Sequence, residues 1–565
     1  MISIVIIAGC QFTLGPDPDP DILDSGAPRD ALADELILMI NEDAGVDFEL
    51  SGLTLDLGTS TAGDEDMSLE GPLLPFEDPL SLALNLPQLP CRGPWMCRAG
   101  QGCIDGACED SCLQSSHCVN GDVCRYDATP QCGSCDEQNL CESGQECIEG
   151  VCLPRALMAL SIQIAETDWL NLSEMRYQDG YWVPCTIDSG VINAPTDAPA
   201  LNDREQPCRV RVHGGSSRDY RKLSLRVKLE EGDEELAWGD RHIVLRAEYN
   251  DPTMMRNVLS HLLFQYVTTL PQSRWRYIWL MVNGRPQGLY LQVERHRDPM
   301  LHRWGRAPSA PRYESDPPLG RSAAGTGSLV TLNARADYWE SYELKSGANY
   351  EPLITLIENV LDMTPNRAWL DLGGTERLAE LLDWGEYLRY LAVMARVQNL
   401  DHVRKNFLIT RQLDIYQTPR WEVHPWDLDL SWGCLYNDET GLTLCDDVRW
   451  DVPLSVGFLP EGEAPSYPVT AFYNLLASRA ISPESARTRY HQLLCTLTQS
   501  DDANPALTRL NAWRAALSVW LPRWIEATPL RPIEIEGTLQ EHIAHLERFW
   551  RNRGDFIRQQ LMCER

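Results

Sequence analysis

The sequence predicts an α+β domain whose strands come before most of its helices, preceded by an acidic tether and a small disulfide-rich module. Three observations carry that reading. Apolar and polar residues alternate through most of 156–296, with Gly-rich turns between the runs. From residue 351 onward apolar residues recur at helical spacing, whereas the first 152 residues hold little periodicity beyond a short helical stretch at "DALADELILMINE". At 565 residues and 43% hydrophobic content the chain exceeds one ordinary domain and can bury a sizeable core.

In chain order, "MISIVIIAGC" (1–10) is a short apolar run closing on Ile-Ala-Gly-Cys. It resembles a bacterial lipoprotein signal in which Cys10 is lipidated, although no Lys or Arg precedes the apolar run. That resemblance implies export and membrane attachment through lipid at Cys10. Residues 11–90 read as a disordered acidic linker: between Pro16 and Pro90 stand 18 acidic residues and one basic residue, Arg29. This segment supplies about half of the net charge of -33, a charge that argues against a nucleic-acid partner.

Of the 19 cysteines, 12 lie between Cys91 and Cys152. They lack paired CxxC knuckles, and His117 is the module's sole histidine, so disulfides are favoured over zinc. Such a module suits an oxidising compartment and a spacing or binding role. Outside it, parity and proximity suggest Cys185–Cys208, Cys434–Cys445 and Cys495–Cys563 pairs. No later run is long and apolar enough to span a bilayer.

From about Ala156 a folded domain begins. "ALMALSIQIAETDW" alternates like a strand, and "QPCRVRVHGGSSRDYRKLSLRVKLEEG" reads as strand, Gly-Ser turn, strand. "DPTMMRNVLSHLLFQYVTTL" places Met255, Val258, Leu259, Leu262 and Tyr266 on one helical face. "RWRYIWLMVNGRPQGLYLQVER" is a hairpin turning at Asn283-Gly284. Residues 298–328 read as a loop, 351–362 and 376–400 as helices, "NFLITRQ" and "RWEVHPW" as short strands, and 467–565 as mostly helical.

The order of these elements is similar to that of a protein kinase, with a small sheet lobe (about 156–296) and a helical lobe (about 297–565). The closer resemblance is to the spore coat protein H (CotH) kinase family, an atypical kinase-like group. It is carried by "VHGGSSRDYRKLSLRVKL", "YNDPTMMRNVLSHLLF", "WLMVNGRPQGLYLQVE", "YELKSG", "NLDHVRKNFLITR" and "WEVHPWDLDLSWG". The resemblance implies a two-lobed fold, ATP and Mg²⁺ as cofactors, and phosphoryl transfer to a hydroxyl of a surface or secreted protein. Adenylyl transfer from the same site and a surface protein without turnover are the alternatives. A hydrolase built on paired carboxylates would leave Asn406 and Lys222 idle.

The resemblance also assigns roles. Asp401, five residues before Asn406, would be the catalytic base, while Asn406 would turn its amide oxygen to a metal. Asp427 would bind metal as a hard oxygen ligand. Read as a continuing strand, Asp427 and Asp429 share a side, where two carboxylates repel unless a cation lies between them. Lys222, with Lys228 as rival, would hold nucleotide phosphate. Ser216 and Ser217 in "HGGSS" could offer backbone N–H groups to phosphate or form an ordinary turn. Glu294 could meet adenine or cap a strand, and Lys345 has no assigned role. Two departures stand out: His213 replaces the family's Arg, and the helix from 253 to 268 holds no acid to grip a lysine, leaving Glu248 or Asp251 as substitutes.

Overall fold

The computed structural model describes residues 141–315, 342–360, 373–403, 405–413, 418–437, 475–499, 504–531 and 537–563. It also describes pieces at 102–104, 107–109, 123–125, 131–136, 442–444 and 450–452, and residues 370 and 454. Cys10 and the whole of the tether, 11–90, lie outside the described residues. Among the described residues, 141–174 and those from 182 onward cluster as one compact unit.

Seven strands, with a two-residue eighth at Ala200–Leu201 at one end of the sheet, form the first half of the domain. They are β1 (Leu157–Gln163), β2 (Val183–Ile192), β3 (Gln206–Val212), β4 (Leu225–Leu229), β5 (His242–Arg246), β6 (Trp275–Val282) and β7 (Arg285–Val293). Their order is β3-β4-β5-β7-β6-β1-β2, and β2 pairs back onto β3, so the sheet closes into a barrel. Every pairing is antiparallel except β6 with β1. Closure removes the sheet edges. One face of the strands carries Val210, Leu225, Val227, Ile243, Leu245, Ile278 and Leu280, each at most 1% exposed. The β6–β7 turn is tight because Asn283 and Gly284 both adopt positive φ (50° and 72°), the requirement of a type I′ hairpin.

Helix α1 (Arg256–Val267), buried almost throughout, packs against the helices Trp384–Val397 and Pro505–Trp520. The stretch read as a loop at 298–328 holds α2 (Asp298–Arg303) and β8 (Arg312–Ser315). Pro299 at the first turn of α2 sets its start. Strand β9 (Glu343–Ser346) pairs with β8, which pairs with β10 (Phe407–Leu413) of the β10–β11 (Pro419–Pro425) hairpin. Two helices replace the single one read across 376–400: α3 (Gly374–Leu381) and α4 (Trp384–Val397), the latter capped by Asp383, whose side chain accepts from Glu386 N. The C-terminal region is helical, with α5 (Leu475–Ile481), α6 (Glu484–Thr496), α7 (Pro505–Trp520) and α8 (Leu539–Leu561).

The cysteine module is tied by Cys135–Cys147 and Cys141–Cys152. Its last residues do more than space the domain. Val151 and Leu153 belong to the main hydrophobic core, and Arg509 of α7 donates to Ser134 Oγ (3.0 Å) and Gly150 O (3.2 Å). Disulfides also join Cys185 to Cys208 across β2 and β3, and Cys495 to Cys563. Cys434 is disulfide-bonded too, while Cys445 lies outside the described residues. Among the described residues no helix is long and apolar enough to cross a membrane.

Candidate functional site

The end of α4 begins the site. Gln398 leaves the helix with φ 55°, and Asn399 accepts from His402 N at 3.2 Å, bracing a single 3₁₀ turn at Asp401–Val403. The His402 ring also meets Asn399 O. Asn406 then takes φ 61°, a left-handed conformation that Asn tolerates better than most residues. Its Nδ2 donates to Asp401 Oδ2 at 3.1 Å, and Lys405 Nζ lies 3.4 Å from the same oxygen.

The hairpin carries the second acid to the first. Phe407 pairs with Pro425, and one step beyond, Trp426 N donates to Asn406 O at 3.2 Å. Asp427 follows immediately with φ 57°. The strand read through Asp427 and Asp429 therefore stops at Pro425, and alternation does not align these two acids. Asn406 and Asp427, on the two sides of the hairpin's open end, both sit in backbone conformations that surrounding structure must enforce.

What holds Asp427 and Asp429 together is a cation from the barrel. Arg246, the last residue of β5, forms an ion pair through Nη1 with Asp427 and through Nη2 with Asp429 Oδ2 at 3.1 Å. Its Nε reaches Glu248 Oε1 at 2.8 Å. Asn250 Nδ2 donates to Asp429 (3.0 Å), and Asn257 Nδ2 of α1 donates to Glu248 (3.1 Å). The helix with no acid thus contributes an amide, and the acid comes from the preceding loop at Glu248. The cation it grips is Arg246.

The charges follow from this geometry. Burial and then the neighbouring Asp427 push the Asp429 carboxyl up to about 8. Burial also acts to raise Asp427, but Arg246, then Lys405 and a hydrogen bond from Asp429, hold it below the usual carboxylate range. A protonated Asp429 donating to an ionised Asp427 is the state these shifts describe. Asp427 remains open, with 30% of its side chain exposed against 15% for Asp429.

The other sequence-expected residues lie elsewhere. Lys222 is 3% exposed and precedes β4; its Nζ donates to Ala247 O (3.2 Å) and Leu289 O, 4.2 Å from the Tyr290 ring centre. Burial lowers this ammonium to about 7, only partly opposed by Glu248. A phosphate role for Lys222 would require breaking those bonds. Lys228 pairs in register with His242, four residues along β4 from the strand level of Arg246, or about 13 Å. The Glu294 carboxylate is engaged by Arg303 Nη2 and by Arg274 N at 2.9 Å. Ser216 and Ser217 form a short 3₁₀ turn, where Gly214 (φ 105°) leaves no room for a side chain beside Ser217 Oγ. Lys345 is held between Glu314 and Glu343, each at 2.7 Å.

Sequence reasoning missed Arg246. The signal was present: an alternating strand ending in Arg, with Glu248 two residues on and "YND" following. Its partners lie far along the chain, so only the fold shows their meeting.

Barrel and hairpin together define an α+β protein with a carboxylate–amide cluster set beside a closed sheet. Comparison with known proteins gives its kinship. Residues 210–557 match the family described as CotH kinase protein, and the chain belongs to that family. It is similar to inner spore coat protein H of Bacillus subtilis (strain 168), 27% identical over 236 residues, covering 41% of this chain and 61% of that protein. It is also similar to the inner spore coat protein H-like protein of the same organism, 30% identical over 158 residues, covering 27% of this chain and 47% of the relative. The chain thus spans roughly half to three-fifths of the length of these curated relatives.

Proposed function

We propose that the chain is an exported, CotH-like atypical kinase that moves the γ-phosphoryl group of Mg-ATP to a hydroxyl of a surface or secreted protein. The observation that carries this reading is the Asp401–Asn406 hydrogen bond at the mouth of a hairpin whose other strand presents Asp427. Both partners of Asp401 described above use Oδ2, which leaves Oδ1 to accept the acceptor hydroxyl's proton. As the acceptor's hydroxyl oxygen, its proton passing to Asp401 Oδ1, bonds the γ-phosphorus, the bond from that phosphorus to the β–γ bridging oxygen breaks and its electron pair leaves on the diphosphate.

The donor set fits a magnesium ion. Asp427 offers a hard carboxylate oxygen that is reachable from solvent, and Asn406, with Nδ2 committed to Asp401, has its amide oxygen to offer. Bound there with nucleotide, the ion would neutralise charge on the phosphates. Asp429, turned to Asn250 and Arg246, helps to hold the shared guanidinium beside Asp427. Lys405 holds Asp401 in place while adding positive charge near the transferred group. The names of the relatives support a place at the cell or spore surface.

One observation favours a second reading, a displayed binding protein without turnover: the guanidinium of Arg246 already lies between the carboxylates. Calorimetric ATP affinity with and without Mg²⁺, on the full chain and on Asp427→Ala, separates the two. The kinase reading expects metal-dependent binding by the parent that Asp427→Ala loses. Negligible binding by both proteins would leave the displayed scaffold.

A further inference from the structure

A further buried tie joins the barrel to the hairpin that carries Asp427. His296 lies three residues past the end of β7, and His424 lies in β11, three residues before Asp427. The two ring centres are 4.7 Å apart, and His296 Nε2 stands 2.7 Å from His424 Nδ1. His424 Nε2 continues the chain to Glu422 Oε2 at 3.0 Å. Arg306 grips both oxygens of that carboxylate, with Nε 2.9 Å from Oε2 and Nη2 2.8 Å from Oε1. All four residues are buried, His424 completely.

The carboxylate dictates the direction of this chain. Burial acts to raise Glu422, but Arg306 and then His424 hold it down to about 2, so it can only accept. Burial lowers His424, only partly opposed by Glu422, and burial, then His424 and Arg312, lower His296, so both rings are neutral. A neutral imidazole has one N–H. His424 commits its hydrogen to Glu422 through Nε2, which leaves Nδ1 as an acceptor. The hydrogen between the rings is therefore carried by His296 Nε2. The position of the tie matters as much as its direction. β7, which leads to His296, runs beside β5, with Leu291 opposite Arg246. From His424 the backbone passes Pro425, paired with Phe407, then Trp426, whose N donates to Asn406 O, and reaches Asp427. The open end of the hairpin is thus fastened to the barrel through Asp427 on Arg246 and, at most about 10 Å back along the chain, through His424 on His296. A single fastening lets the hairpin end pivot, and a second one fixes its direction. Asn406 and Asp427 hold positive φ that surrounding structure must enforce, and this tie stands where it can do so.

We propose that His296 and His424 are positioning residues for the Asp401–Asn406–Asp427 cluster: their hydrogen bond, oriented by Glu422 and Arg306, sets where the hairpin end presents Asp427 and Asn406 to a metal. The inference rests on the metal-nucleotide reading above and extends it to side chains that act only through the strand. Groups that hold ligands in place, without touching the ion, set metal affinity in this way. Amide side chains separate the two roles. A glutamine amide reaches about as far as Nε2, so His296→Gln keeps the donor. An asparagine amide reaches about as far as Nδ1, so His424→Asn keeps the acceptor. His296→Leu removes the donor, and His424→Gln keeps the Glu422 contact while removing the acceptor.

The test uses the full chain, the parent beside these four variants, and two readouts. One is hydrogen exchange by mass spectrometry without ligand; the other is the Mg²⁺ concentration needed for half-maximal ATP binding in calorimetry. His296→Leu and His424→Gln should exchange faster over 421–430 with the barrel strand 206–212 unchanged, and should raise the Mg²⁺ requirement roughly tenfold. His296→Gln and His424→Asn should stay near parent level in both. A purely structural role lowers the thermal midpoint and leaves the Mg²⁺ requirement where it was, so a parent-like requirement in His296→Leu overturns the proposal. Equal losses in His296→Gln and His296→Leu overturn it as well, because ring volume and not the directed hydrogen bond would then be at work. Should His296→Leu fail to fold, His424→Gln decides, and a parent-like response there sinks the inference. Exchange that follows the stated pattern, with no ATP binding by the parent, upholds the tie and removes the nucleotide reading.

Discussion

Removing the Arg246 guanidinium isolates the central electrostatic argument. Arg246→Met keeps much of the side chain's length and apolar stem but strips Glu248, Asp427 and Asp429 of their shared cation. The three interactions do not add, because Asp429 already titrates at about 8 and is mostly protonated at neutral pH. The main loss is the charged contact to Asp427 and to Glu248, whose side chain is fully buried. Breaking such a buried pair from one side costs about 3–5 kcal/mol.

The pH dependence carries a sign. A carboxyl raised from 3.8 to about 8 binds a proton more readily folded than unfolded, so its contribution is full below about 4 and lost as pH rises towards 8. Without Arg246 nothing comparable holds Asp427 down, and it joins Asp429 in that behaviour. The variant's deficit should therefore widen from pH 5 to 8 by up to about 1.4 kcal/mol per pH unit for each added group. Urea unfolding at several pH values measures this, and Arg246→Met/Asp429→Asn should recover at least about 1 kcal/mol of the loss. A deficit below about 0.5 kcal/mol at every pH, the surface-substitution range, would refute the reasoning.

Three further outcomes are expected. Asp401→Asn should lower kcat by about 10²–10⁴-fold while Mg-ATP affinity measured by calorimetry stays near parent level, because the loss is of a proton acceptor. His261 and His402 are each lowered by burial to about 4, so their stabilisation is full above 6.5 and is lost as pH falls towards 4; each accounts for up to about 3 kcal/mol, and His261→Asn should flatten the acid limb of a urea-midpoint profile. Breaking Cys495–Cys563, which closes 68 residues, should cost about 4 kcal/mol by chain entropy, read as a lower thermal midpoint for Cys495→Ser/Cys563→Ser.

What the sequence disclosed was local. The Asn283-Gly284 hairpin, helix α1 and the spacing of Asp401 to Asn406 are each written within a dozen or so neighbouring residues, so periodicity and turn chemistry reach them. Closure of the barrel depends on β2 meeting β3 and β6 meeting β1 in parallel, pairings that no alternation pattern encodes. The same limit explains Lys222: its strand-like context was visible, but the carbonyls of Ala247 and Leu289 that take its ammonium come from other segments. For Asp427 and Asp429 the electrostatic rule was sound and the geometry assumed for it was not. Two neighbouring acids do require a cation between them, yet Pro425 ends the strand and Asp427 turns left-handed, so the pair meets Arg246 at the end of β5. An acid pair in a sequence specifies the sign of its partner, while tertiary register decides whether that partner is an ion or a guanidinium. That is why the site's most consequential residue lay in a stretch, His242–Arg246, that no motif in the sequence singled out.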